Sequence, residues 1–236
     1  MIGALRELFA WWREIDRRTA TVLIAAAALP GVYVYQGHRS FWEPRFAAHG
    51  ADWARTYANV AQFAAIDLLF LAVPLGAIFW FGDRPRDFGV GLGDWRFGAK
   101  VTAIAAVAVT PFLWLGADAA MQAEYPLSPL AALSVAAWAL WSLVYLAYYV
   151  AWEFFFRGFM LFGLEKRLGA AVAILVQTIP STMLHIGKPQ AEFVAAIPGG
   201  IALGALAWRT RSILWPLLLH YYVGVMNDAF CILRSP

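Results

Sequence analysis

Apolar runs of about 20 residues recur along this chain, separated by short polar or aromatic stretches, which is the spacing of helices that cross a bilayer. The runs at 19–36, 57–81, 99–117, 130–167, 170–187, 192–209 and 212–233 predict seven spans. The segment 37–56, with Trp42, Trp53, Arg39, Arg45 and Arg55, suits a membrane-surface connection, and makes an eighth if it dips into the bilayer. Ahead of them, residues 1–18 place Leu5, Leu8, Phe9, Trp12 and Ile15 on one helical face and Arg6, Arg13, Glu14 and Arg17 on the opposite one. Such a helix lies in the interface rather than spanning. Its charged stretch is too long for a cleaved leader. The expected fold is all-α, a polytopic transmembrane bundle of seven or eight spans with an N-terminal amphipathic interfacial helix. Residues 1–129 hold that helix and three spans, and residues 130–236 hold a core of four long helices.

Composition agrees: 62% of the 236 residues are hydrophobic and 14% charged, outside the range of a soluble domain. The net charge of +3 therefore says nothing about nucleic acid, and membrane lipid is the expected surrounding. Thirteen of the eighteen Lys and Arg fall toward one side of the predicted topology, which places the amino terminus in the cytoplasm by the positive-inside rule. The preponderance of Arg, with Ala and Trp richness, points to a bacterial cytoplasmic membrane. A single cysteine, Cys231, excludes an intrachain disulfide and a thiolate metal cluster. Gly89, Gly91 and Gly93 lack the strand context of a dinucleotide loop and read as an interfacial turn. The pattern from Gly200 to Gly204 reads as close helix packing.

Against this background the ionisable groups inside the spans stand out, because a charge at membrane depth is costly and usually faces protein or a wet cavity. Glu153 and Arg157 share a helix face four residues apart, each offsetting part of the other's cost. Asp67 sits inside the second span and wants a partner, with a structural hydrogen bond the expected role. His38 and His49 read as surface histidines. His185 and His220 are the only histidines in the spans. With a turn at Gly169, Glu153 and His185 each lie about 24 Å from it and face each other at one depth. His220 lies about 12 Å above its own turn near Ser212, and Asp228 about 24 Å. Asn227 shares the His220 face, while Asp228 lies about 80° off it. A carboxylate in an apolar site can act as general base on water, a histidine can carry the proton, and Asn or a second His can stabilise an oxyanion. Glu153, His185, His220 and Asp228 also fit a divalent, zinc-like site with an open position. Both chemistries remain open on sequence.

The run Trp152-Glu153-Phe154-Phe155-Phe156-Arg157-Gly158, then Leu184-His185-Ile186-Gly187-Lys188-Pro189, then Leu219-His220 resembles the CPBP family of intramembrane endopeptidases, which includes CAAX-prenyl-protease-type and bacteriocin-processing members. The likeness covers about 130–230. Family motifs are Glu-Glu-x-x-x-Arg, Phe-x-x-x-His and His-x-x-x-Asn/Asp. Trp152 stands at the first glutamate, Ser181 at the phenylalanine and Gly224 at the asparagine. The resemblance implies an integral-membrane endopeptidase that cuts a membrane-anchored protein or peptide. Glu153 is then the base positioned by Arg157, and His185 and His220 hold water or metal and stabilise the oxyanion; helix geometry, rather than the motif, offers Asn227 or Asp228 to assist. No cofactor is certain, with a divalent metal such as zinc the one candidate. A catalytically inactive binding or immunity protein and a proton-coupled transporter are the alternatives, the first favoured by Trp152. No internal repeat supports the second.

Overall fold

The structure, a computed structural model, describes residue 7 and residues 9–235. Among these the regular elements are all helical. Seven principal helices follow in order: α1 (Arg17–Val32), α2 (Ala51–Trp80), α3 (Trp95–Gly116), α4 (Val135–Leu168), α5 (Ala170–Met183), α6 (Gln190–Thr210) and α7 (Leu214–Arg234). Six helical stretches are long and apolar enough to cross a membrane, namely Arg17–His49, which α1 opens, and α2, α3, α4, α6 and α7, so the protein is a multi-pass membrane protein. The expected seventh span is shorter than the sequence suggests. α5 ends at Met183, and Leu184–Gly187 form a tight turn in which His185 N bonds Thr182 O and Gly187 takes a φ of 91°. Fourteen residues give about 21 Å, short of a bilayer core of about 30 Å.

Of the expected interfacial helix, residues 1–6 and 8 lie outside the described residues. Ala10–Glu14 form a short 3₁₀ helix, and Asp16 starts α1 by accepting from Thr19 N at 3.0 Å and Thr19 Oγ1 at 2.7 Å. Ser134 caps α4 in the same way, accepting from Ala137 N, so the long fourth helix starts at Val135 rather than 130. The segment 37–56, expected as a surface connection, is itself helical: short helices cover Arg39–Trp42 and Glu43–His49, and residues 51–56 already belong to α2.

Lipid replaces water as the outer solvent, so large apolar side chains face outward. Val107, Phe112 and Leu115 on α3 are each more than 70% exposed. The interior is an aromatic stack around α4, in which Phe70 and Phe155 lie parallel at 4.6 Å and Phe154, Phe155 and Phe156 are almost wholly buried. Polar pairs gather at the two ends. Arg18–Asp83, Arg209–Asp94 and Arg211–Glu165 lie at one end. Arg39 and Lys188 converge on Glu124 at the other, where Arg55 also donates to the Glu124 and Leu127 carbonyls.

The glycine-rich segment docks on the α6–α7 turn. Ile213 N bonds Gly89 O and Trp215 Nε1 bonds Leu92 O, both at 2.9 Å. Gly93, with φ 52°, abuts Thr210 O so closely that a Cβ would lie 2.0 Å from it. On α6, Gly200 and Gly204 admit α5, and Gln177 Nε2 donates to Gly200 O at 3.0 Å.

Burial alone raises the Glu124 pKa, but its pairs with Lys188 and Arg39 outweigh this and leave it below the usual value. A lowered folded pKa stabilises the protein above about pH 4.5 and loses that contribution as the pH falls. Glu124→Gln is therefore expected to lower the melting temperature in detergent by a few degrees at pH 7. That gap to wild type closes as the pH falls below 4.5, and a pH series of melting curves checks it.

Candidate active site

The site is built outward from α4. Glu153 ends its regular α segment, and Phe154–Met160 continue as a π turn, a form often found at functional positions. Glu153 is 0% and Arg157 1% exposed. Two charges in so apolar a place persist only if paired, because the idealised cost of leaving either alone is many kcal/mol. Arg157 Nη1 lies 3.1 Å from Glu153 Oε1, and His220 Nδ1 approaches the same oxygen at 2.6 Å. A guanidinium and an imidazole thus meet on one carboxylate oxygen. Glu153 Oε2 is buried without a hydrogen bond.

α7 brings His220 to this point although the axial estimate sets it shallower than Glu153. His185 arrives differently. Its Nδ1 lies 2.8 Å from Ser181 O, and a carbonyl only accepts, so Nδ1 carries the hydrogen and Nε2 is free to accept. The same logic applied to His220 beside a carboxylate leaves its Nε2 as the free nitrogen. Trp152 is 2% exposed, and its ring meets His185 edge to face at 5.8 Å.

A cavity of about 490 Å³ lies beside this cluster. Arg157, His185, His220 and Asn227 line it, together with apolar residues of α3, α6 and α7 such as Val109, Phe112, Leu203 and Val223. Glu153 does not line it and reaches it through His220. Asp228 is 1% exposed, lies outside the cavity wall, and keeps Oδ1 buried without a hydrogen bond. Asp67 likewise stays away from the cavity; it opens the π turn of α2, and its buried Oδ1 lacks the hydrogen bond expected of it. Among the described residues no three His, Cys, Asp or Glu side chains are grouped to hold a metal ion. The donor set expected of a zinc-like centre is thus dispersed: Glu153 bonds the Nδ1 face of His220, His185 hangs on Ser181, and Asp228 lies behind the wall.

Two wall residues went unnoticed in the sequence. Tyr149 meets the His220 ring edge to face at 4.8 Å, and its hydroxyl fills the space beside Gly224, where a Cβ would lie 1.8 Å from Oη. The residue one turn after His220 is glycine because a tyrosine from α4 occupies its place. Glu192, in the first turn of α6, also lines the cavity; an acid near a helix start reads as an ordinary helix beginning.

Residues 134–226 match the family model described as type II CAAX prenyl endopeptidase, Rce1-like. Over those residues the chain is similar to that family. No curated protein and no solved structure matches the chain. The Rce1-like segment opens at the cap of α4 and contains Glu153, Arg157, His185 and His220, and it closes one residue before Asn227. The matched family supports a membrane CAAX-protease-type function at the level of the family.

Gly224→Ala drives a methyl into the Tyr149 phenol and is expected to cost about 1–3 kcal/mol, as overpacking does. Tyr149→Ala should relieve most of that penalty. A double-mutant cycle of melting temperatures in detergent reads the coupling, and additive losses would contradict the contact.

Proposed function

We propose that the protein is an integral-membrane endopeptidase that hydrolyses a peptide bond of a membrane-anchored protein or peptide, with residues 130–236 as its catalytic core. The observation that carries this reading is the 2.6 Å contact between Glu153 Oε1 and His220 Nδ1 beside a cavity that His185 and Asn227 also line. Glu153 accepts from His220 Nδ1–H, fixes the tautomer and stabilises the imidazolium that forms when Nε2 takes a proton from water. Arg157 pairs with the same Glu153 oxygen behind the histidine. His185 holds the water through its free Nε2. The developing oxyanion is met by the Asn227 amide, the Tyr149 hydroxyl and the Arg157 guanidinium, all at the cavity wall. The carboxylate thus acts through His220 rather than directly on water. Apolar walls on α3 and α6 suit a hydrophobic or lipid-bearing substrate segment. In a bacterial cytoplasmic membrane, the end carrying Arg18, Arg209 and Arg211 faces the cytoplasm by the positive-inside rule.

One observation favours a non-catalytic membrane-binding or immunity role instead. Trp152 fills the place of the family's first glutamate with a buried indole whose Nε1 has no hydrogen bond. Two variants discriminate. His185→Gln and His220→Gln are each expected to lower cleavage of a farnesylated CAAX-type peptide or a single-span membrane protein by about 10²–10⁴ while melting within a few degrees of wild type. Full cleavage by both variants, or loss of fold without wild-type cleavage, returns the cluster to a structural role.

A further inference from the structure

Peptide hydrolysis needs two proton transfers, and the Glu153–His220 pair accounts for one. Water loses a proton as it attacks. The departing nitrogen must gain one, because an amide anion is too basic to leave unprotonated. Of the described side chains at the cavity wall, Glu192 is the single carboxyl. Its two oxygens are treated differently. Oε1 accepts from the Tyr125 hydroxyl at 2.8 Å, whereas Oε2 is buried without any hydrogen-bond partner.

Glu192 is also held from behind. Lys188 Nζ donates to Tyr125 Oη at 3.2 Å, Lys188 pairs with Glu124, and Glu124 in turn holds Arg39 at 2.6 Å. The chain of contacts ties three separate pieces of sequence to one carboxyl at the wall. Lys188, Tyr125, Glu124, His220 and Asp228 are the titratable groups that act on it. Other wall groups serve less well as acids. Arg157 is a permanent cation, the Tyr125 proton is directed at Glu192, and the free nitrogen of neutral His185 carries no hydrogen.

We propose that Glu192 is the general acid of the reaction, protonating the leaving nitrogen from Oε2, on the reading of the protein as an endopeptidase given above. The bond from water oxygen to the carbonyl carbon forms while the water proton passes to His220 Nε2. The C–N bond then breaks with its electron pair on nitrogen, which takes the proton from Glu192. The proton on His220 returns through cavity water to the Glu192 carboxylate. The net change is amide plus water to carboxylic acid plus amine, with the enzyme restored. Glu192 thereby supplies from α6 a second carboxyl that position 152 of α4 does not.

The test compares two leaving groups. A farnesylated CAAX-type peptide and the same peptide with the scissile amide replaced by a thioester are given to wild type and to Glu192→Gln in detergent. A thiolate leaves without protonation. Glu192→Gln is expected to lower kcat on the amide at least about a hundredfold and to change the thioester less than about threefold. Equal losses on both substrates, or no loss on the amide, overturn the assignment. Tyr125→Phe removes the hydrogen bond to Oε1, which stabilises the ionised form, so the high-pH limb of amide kcat/KM should move to higher pH while the thioester profile stays put. An unmoved amide limb counts against Glu192 as well. Wild type that cleaves neither substrate overturns the endopeptidase reading together with this one, whereas wild type that cleaves both beside a fully active Glu192→Gln overturns only the acid.

Discussion

The structure turns on one carboxylate oxygen. Glu153 Oε1 is met from one side by Arg157 and from the other by His220, in a region packed with phenylalanine and closed to solvent. Such a triad draws its partners together because any arrangement that separates them leaves a bare charge in low dielectric. The attraction fixes the register of α7 against α4 more tightly than apolar contact alone could. Apolar faces slide with little penalty when lipid is as good a neighbour as leucine. The polar cluster therefore specifies the bundle, and on the proposed reading it also forms the reactive corner with the same atoms.

Around that point the protein alternates tight and open packing. Phe70 of α2 stacks on Phe155 of α4 in the interior, and glycines on α6 let α5 come close. On the side toward α3 and α7 the packing opens into the cavity. Aromatic bulk behind the triad holds its back rigid, and the free nitrogens of two histidines remain on the open side. Preorganised dipoles in a dry, shaped space are what hydrolysis of an amide asks of a protein.

Much of this was legible in the chain. Hydropathy gave six of the seven expected spans, because lipid leaves few choices for a backbone that must satisfy its own hydrogen bonds. The spacing of Glu153 and Arg157 gave their shared face, and helix geometry brought His185 and Asn227 toward them. Three things were not legible. The π turn after Glu153 is announced by no local residue. Tyr149 substitutes across space for a side chain missing at Gly224, a relation between two helices that neither sequence segment carries. Glu192 hides because acids at helix starts are common, and only the Tyr125 and Lys188 contacts distinguish it. Asp228, by contrast, looked functional by charge and depth, yet it sits behind the wall.

The brevity of α5 has a consequence for the bilayer itself. A helix about 9 Å too short to cross leaves one flank of the protein with a hydrophobic belt that the lipid must match by thinning or by letting headgroups sink inward. The α5–α6 turn, with His185 and the lysine after Gly187, sits under that dimple. Water then has a shorter way in at that flank than elsewhere on the perimeter. On the proposed reading, a substrate segment drifting laterally through the membrane would be uncovered by the lipid at the same place where the histidines wait.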